Sequence, residues 1–353
     1  MEEKTKRENN FNIIRMVAAL MVMAGHMAYI CGTTVPSLFG EGVHALGVKI
    51  FFLVGGFLIS KSWLSDSSPI RYIVKRIMRI FPALLVYCLL VTFIFAPLLS
   101  TLSAKEYYLN SATLVYLKNI LLYPIYSLPG VFELNPYPNA VNGSLWTLPV
   151  EFALYIIVPA VITLFGVCKK DKKSFRYISM FTFLLCVGQL IRLYFFPTLR
   201  IVVYGTDVIT AYDLVPWYFM GIIYTYPIIQ KKLNIQVSIV LLLLLSCIPN
   251  GTVLERIMLY LIFPYVVFSF VLAEKPFFAR MFKKHEISYG VYLYSFFIQQ
   301  SVVYFGKKLN MNISYTWCLG ISVVLTFVVA LISAQVVEEP AQRLCRRILN
   351  RIK

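Results

Sequence analysis

The stretch that decides the fold is 11–30, FNIIRMVAALMVMAGHMAYI. As a helix, ~20 apolar residues rise roughly 30 Å, the thickness of a bilayer core. Two residues are out of place in such a run, Arg15 and His26. An ionisable group inside a membrane helix is costly and usually faces a partner or a watery cavity. Eleven residues at ~100° each make about three turns plus 20°, so both side chains share one face, roughly 16 Å apart. That face carries a fixed cation toward one end and an imidazole toward the other. With an unperturbed pKa of ~6.5, imidazole is the usual general acid or base. The plainer alternative is that Arg15 snorkels to the near interface and His26 bonds to a neighbouring helix.

Composition extends this reading to the whole chain. Of 353 residues, 59% are hydrophobic and only 14% charged, with a mean hydropathy of +0.75. A soluble domain is nearer half apolar and a quarter charged. The fold class is therefore all-α, a polytopic transmembrane helical bundle forming one domain over 1–353 without an appended soluble domain. Ten spans are expected, at about 11–30, 43–62, 83–103, 146–167, 177–196, 211–229, 235–249, 253–273, 288–306 and 315–337. No short apolar leader precedes Phe11, so the first span is expected to be retained. The seven cysteines show no metal-ligand spacing and read as core residues; no metal site is expected.

The net charge of +17 would suggest nucleic acid in a soluble chain, but here it follows the positive-inside rule. With residues 1–10 inside, 23 of the 33 Lys and Arg fall on inner segments and five on outer ones. That asymmetry places both termini in the cytoplasm and makes the chain a multi-pass protein of the cytoplasmic membrane, with lipid and not nucleic acid as its surroundings. Lys49 is a third charge within a span. Gly55 and Gly56 permit close helix approach. The connection at about 104–143 is long enough to be either flexible or functional. The tail EEPAQRLCRRILNRIK reads as a short amphipathic helix on the membrane surface.

Four patches bear on chemistry. Arg15 with His26 is the first. The second is Lys75-Arg76-Ile77-Met78-Arg79, where Arg76 and Arg79 project from neighbouring positions of one helix face. Two guanidinium groups so placed suit phosphates, though ordinary inner-loop charge on lipid headgroups explains them too. The third runs from Asn142 to Glu151, NGSLWTLPVE, where Trp146 suits an aromatic belt and Glu151 is an acid deep enough to need a partner. Glu151 and His26 would both lie in the outer membrane half, and a contact would orient the imidazole. The fourth, ISYGVYLY at 287–294, reads as aromatic packing without chemistry. His44 and His285 read as surface histidines.

Taken in order, these patches resemble the integral-membrane acyltransferase-3 family, O-acyltransferases of about ten spans. The resemblance rests on Arg15 and His26, FFLVGGFL, KRIMRIFP, SLWTLPVE and ISYGVYLY, and covers essentially the whole chain. It implies transfer of an acyl group, most often acetyl from acetyl-CoA, to a hydroxyl of an envelope carbohydrate such as an exopolysaccharide or a lipid-linked sugar. Acyl-CoA would be a co-substrate, with no tightly bound cofactor, and His26 would act either as general base or as a transient acyl carrier. Carried over, His26 matches the essential histidine, Arg15 its companion, and Arg76 and Arg79, with Lys75 beside them, the donor-binding motif. Ser144, Trp146 and Glu151 match an SxxWxxxxE-like pattern, which implies Glu151 as a catalytic partner of His26 and Arg15, with Ser144 and Trp146 on the substrate. The chain departs from many members in having Gly55 for Ser and Ser295 for His. A proton-coupled transporter using Arg15, His26 and Glu151 is the rival class, but no paired broken helices in corresponding halves are seen. Oligomeric state is not readable.

Overall fold

In the computed structural model, residues 10–273, 278, 286–311 and 314–352 are described; His285, residues 1–9 and part of the expected 274–287 inner segment lie outside them. The chain opens with α1 (Phe11–Cys31), α2 (Val43–Ser65) and α3 (Pro69–Leu90), the last carried on by a π-helical turn at Val91–Phe95 into α4 (Ala96–Leu99). Short α5 (Ala104–Leu109) and α6 (Ser111–Val115) precede α7 (Thr147–Leu164) and α8 (Lys172–Phe195). Then come α9 (Val208–Tyr212), α10 (Val215–Ile223), α11 (Pro227–Gln230), α12 (Ile235–Ser246) and α13 (Val253–Val271). The chain closes with α14 (Ser288–Lys308), α15 (Tyr315–Ser333), a π turn at Ala334–Glu338 and α16 (Glu339–Arg351). The described strands are two tiny hairpins, β1 (Ser37–Leu38) with β2 (Glu41–Gly42) and β3 (Val202–Val203) with β4 (Thr206–Asp207).

Seven described helices are long and apolar enough to cross a membrane, and α12 and the 208–223 pair are shorter apolar helices. α14 has 21 residues but lower apolarity. Its buried positions include Ser288, Ser295, Gln299 and Gln300, because it is an inner helix whose neighbours are protein and not lipid. The expected span at 83–103 is corrected. The helix begins at Pro69 and runs to Leu99, so the basic patch lies within it and not in a loop. Ser68 caps that start by accepting from the Arg71 N–H, with Pro69 at the first position. Both π turns are followed within two residues by a proline, Pro97 and Pro340, whose missing N–H cannot continue the ladder.

The tightest contact joins α2 to α10. A Cβ on Gly56 would lie 1.8 Å from the Tyr218 carbonyl oxygen, and one on Gly221 2.1 Å from that of Leu53. Only glycine at both crossings lets the backbones meet so closely. The 104–143 connection is neither loose nor open. Its Val131, Phe132 and Val141 are buried, and Gln300 of α14 donates to the carbonyls of Tyr137 and Ala140 at 2.8 Å each. The tail helix α16 packs against α3 instead of lying free, and Arg71 donates to the carbonyls of Leu349 and Ile352.

Candidate active site

A cavity of about 480 Å³ opens between α1, α2, α3, α7, α14 and α16. Arg15, Lys75, Arg76 and Arg79 all line it, with Glu151, Tyr155 and Glu286. The cavity thus gathers Arg15 of the first patch, the three cations of the second and Glu151 of the third. The cations there are not equivalent. Glu286 receives both Arg15 and Arg79, the latter at 2.8 Å, and Arg79 also lies 4.0 Å from Glu338. Burial would raise the Glu286 carboxyl, but Arg15 and Arg79 outweigh it and hold it down at about 2. Lys75 pairs with Asp66 at 2.7 Å, beside Arg71 at 3.0 Å.

Arg76 stands apart. No described carboxylate lies within ion-pair distance of it. Its Nη2 donates to Ser62 Oγ at 3.2 Å, its guanidinium sits 5.4 and 5.5 Å from the ring centroids of Tyr72 and Tyr155, and its buried Nε has no hydrogen-bond partner. A half-buried guanidinium with no carboxylate beside it and facing a cavity is suited to an anion. Glu151 accepts from the Tyr155 hydroxyl one turn along α7. It therefore steadies a wall of the Arg76 pocket. The contact expected between Glu151 and His26 is not among the described hydrogen bonds.

His26 lies toward the other end of α1 and outside this cavity's lining. Its Nδ1 is 3.4 Å from Ser144 Oγ. Ser144 is held by a turn that Asn142 builds. The Asn142 side chain accepts from the Ser144 N–H at 2.9 Å and donates to the Tyr87 hydroxyl and the Leu293 carbonyl. Tyr292, which lines the cavity, places its hydroxyl 2.6 Å from Thr147 Oγ1 and donates to the Ser144 carbonyl at 3.0 Å. The cavity's far wall is thus one residue away from the residue that touches His26. Trp146 is half-buried against the core and does not line the cavity.

Around His26 five rings form a closed circuit. Centroid distances are 5.9 Å to His44, 5.2 Å from His44 to Tyr29, 6.4 Å from Tyr29 to Tyr137, 6.3 Å from Tyr137 to Phe296 and 5.2 Å back to His26. His44 is therefore no surface histidine. It packs into Gly25, where a Cβ would lie 2.6 Å from its own Cβ. Tyr29 and Tyr137 are 45% and 42% exposed, so the circuit has an open rim. The fourth patch is also more than packing, because Tyr289 and Tyr292 line the cavity. Sequence reasoning missed Tyr155, Glu286, Tyr289, Tyr292 and His44. Only Glu286 carried a local signal, as an acid two residues before a helix start.

A polytopic helical bundle that joins a cationic cavity to a half-buried imidazole has the parts of a membrane-embedded group-transfer site. The family model described as an acyltransferase domain matches residues 8–334, and the chain belongs to this acyltransferase-3 family. It is 29% identical over 307 residues to an O-acetyl transferase of Shigella phage Sf6, covering 84% of this chain and 86% of that protein. It is 32% identical over 174 residues to nodulation protein 10 of Rhizobium leguminosarum bv. viciae, covering 46% of each. No solved structure matches the chain.

Proposed function

We propose that this membrane acyltransferase moves an acetyl group from acetyl-CoA, bound from the cytoplasmic side, to a hydroxyl of an envelope carbohydrate. The carrying observation is Arg76, a guanidinium with an unpartnered buried Nε in a cavity that ends beside Ser144 and hence His26. The donor's phosphates would meet Arg76, with Lys75 and Arg79 adding field, and the pantetheine arm would run along the apolar wall of α2 toward Thr147 and Tyr292. The O-acetyl transferase of the phage supports acetyl as the group.

In the chemical step, neutral His26 takes the proton of the acceptor hydroxyl as its oxygen attacks the thioester carbonyl. The C–S bond breaks, and the leaving thiolate takes the proton from the imidazolium. Ser144 sets the ring's orientation through Nδ1. Tyr292 and Thr147 stand between the donor cavity and the imidazole, so their side chains move aside for the thioester to reach it. Tyr29 and Tyr137 offer exposed aromatic faces beside His26 on which the C–H face of a sugar ring can lie. Arg15 and Arg79 hold Glu286 and with it the cavity's shape.

The test uses proteoliposomes given radiolabelled acetyl-CoA and an extract of envelope glycans. Label should reach glycan with the wild type and not with His26→Ala. Equal labelling by the two proteins would overturn the role of His26, and label from another acyl donor alone would overturn acetyl-CoA.

A further inference from the structure

A second cavity of about 550 Å³ opens beside the first. Leu58, Lys61, Ser62, Ser65, Lys170 and Thr225 line it. Two features join the cavities. Leu58 lines both, and Ser62 accepts the hydrogen bond from Arg76 at 3.2 Å. Arg76 therefore stands on the partition between them.

The lining chemistry is that of an anion site. Two ammonium groups and three hydroxyls stand at the edges of a lining that is otherwise apolar, Leu58 and Leu64 with the side-chain stems of the lysines. Lys170 is placed deliberately by its backbone. It follows the 3-10 turn Val167–Lys169 with φ of 52°, a left-handed conformation. From there its ammonium lies 4.3 Å from the centroid of the Tyr226 ring and donates to Thr225 Oγ1. No described carboxylate is within ion-pair distance of it. The neighbouring Asp171 instead caps α8, accepting from the Ser174 N–H at 2.7 Å. Burial pushes the Lys170 ammonium down to about 8, and the charge of Lys61 presses the same way. An arriving dianion relieves both.

We infer that this cavity receives the 3′-phosphate of the coenzyme A donor, gripped by Lys61 and Lys170 with Ser62 as hydroxyl donor, while the Ser65 and Thr225 hydroxyls donate to the Ser62 and Ile222 carbonyls. The inference rests on the acyl-CoA reading above. Coenzyme A carries two separate anionic groups at its nucleotide end, a pyrophosphate and a phosphomonoester on the adjoining ribose. Two neighbouring cationic cavities divided by one arginine match that division. Arg76 faces the pyrophosphate, and the lysine pair takes the monoester. Such a site selects acyl-CoA over donors that end at the pyrophosphate or at pantetheine phosphate. A phospholipid headgroup offers related chemistry from the bilayer, and the test separates the two.

Purified protein in phosphatidylcholine nanodiscs would bind radiolabelled acetyl-CoA, displaced by coenzyme A or by dephospho-coenzyme A. Coenzyme A should compete at least about tenfold better, the loss expected for charge-assisted hydrogen bonds. In Lys61→Met/Lys170→Met that advantage should fall below about threefold while dephospho-coenzyme A binds as in the wild type. Lys170→Arg should keep it. If wild type binds both competitors equally, the inference fails and the donor reading stands. If neither displaces label, the donor reading itself fails. Phosphatidylglycerol discs complete the set. Loss of the coenzyme A advantage there would assign the cavity to lipid and overturn the inference. Should the double variant not fold, Lys61→Gln alone decides, with the advantage reduced or the inference lost.

Discussion

Ser144 Oγ lies 3.4 Å from His26 Nδ1, and Ser144 is itself fixed from both sides, by Asn142 at its N–H and by Tyr292 at its carbonyl. A hydroxyl on Nδ1 leaves Nε2 as the nitrogen that works on substrate. Ser144→Ala removes one neutral hydrogen bond, so kcat for acetyl transfer should fall about tenfold. The donor KM should not move, because Ser144 lies outside the donor cavity. Steady-state kinetics in proteoliposomes check the split. A raised donor KM would place Ser144 on the wrong side of the Tyr292 wall.

Arg76 and Arg79 share a motif but not a role. Arg79 is engaged by Glu286 at 2.8 Å, whereas Arg76 has only the Ser62 hydroxyl and two tyrosine rings. Arg76→Ala should therefore weaken acetyl-CoA binding by about 10- to 100-fold while the folded protein survives. Arg76→Lys should recover little, since an ammonium loses the planar fork and the stacking. Arg79→Ala leaves the half-buried Glu286 carboxylate short of one cation and should lower the melting temperature as well. Equilibrium binding alongside thermal denaturation in detergent separates the two effects.

The acid limb of stability should trace to Glu286. Its carboxyl is held at about 2 against an ordinary 4.5. Because the folded group titrates lower than the unfolded one, its ion pairs stabilise the fold above pH 4.5, and that contribution is lost as pH falls toward 2. Glu286→Gln should make the melting temperature lower at neutral pH and flatter across that window. An unchanged acid slope in the variant would remove Glu286 as its source.

Much of this was legible in the chain and some of it was not. The helices at 11–31, 43–65 and 253–271 could be read because long, mostly apolar runs end at strong stops, Cys31–Gly32 for the first, where Gly32 takes φ of 68°. The start of α3 was misplaced because four cations, Arg71, Lys75, Arg76 and Arg79, hid a helix that the Ser68-Pro69 pair in fact announces. Arg15, Arg76 and Arg79 were expected toward one side and line one cavity, whereas Glu151, expected beside His26, lines that cavity with them. The partners were not legible. Glu286 meets Arg15 across 271 residues of chain, and the His26–His44 approach depends on Gly25 leaving room. Pairings of that kind are set by helix packing, which a single sequence does not encode as a local pattern.

Lys49, an obvious oddity in the second span, serves stability. It is 1% exposed and lies 2.7 Å from Glu41 and 3.0 Å from Asp213. Gln189 holds the other Asp213 oxygen at 2.7 Å and Arg256 joins Glu41. Lys49→Met strands carboxylates and should cost about 3 kcal/mol, the lower end for breaking a buried pair, since Arg256 still holds Glu41. Lys49→Met/Asp213→Asn should regain part of that, and a double-mutant cycle in thermal denaturation measures how much. Full stability in the single variant would show that the network is not cooperative.

The aromatic circuit gives the sharpest test of the acceptor side. Tyr137 is supported from behind by Phe296, which also meets His26 edge-on, and its backbone carbonyl is held by Gln300. Its ring is therefore fixed while 42% of the residue stays exposed. A fixed aromatic face at an open rim can orient a sugar ring over His26 without contacting the donor. Tyr137→Ala should raise the acceptor KM by about tenfold, the worth of roughly 1.4 kcal/mol of aromatic contact, and leave the acetyl-CoA KM alone. Tyr137→Phe keeps the face and should stay within about twofold, because the hydroxyl contributes little to stacking. Competition kinetics with purified envelope glycan as acceptor read both constants. If Tyr137→Ala raises the donor KM instead, the circuit belongs to the acetyl-CoA path, and the sugar must reach His26 from another side.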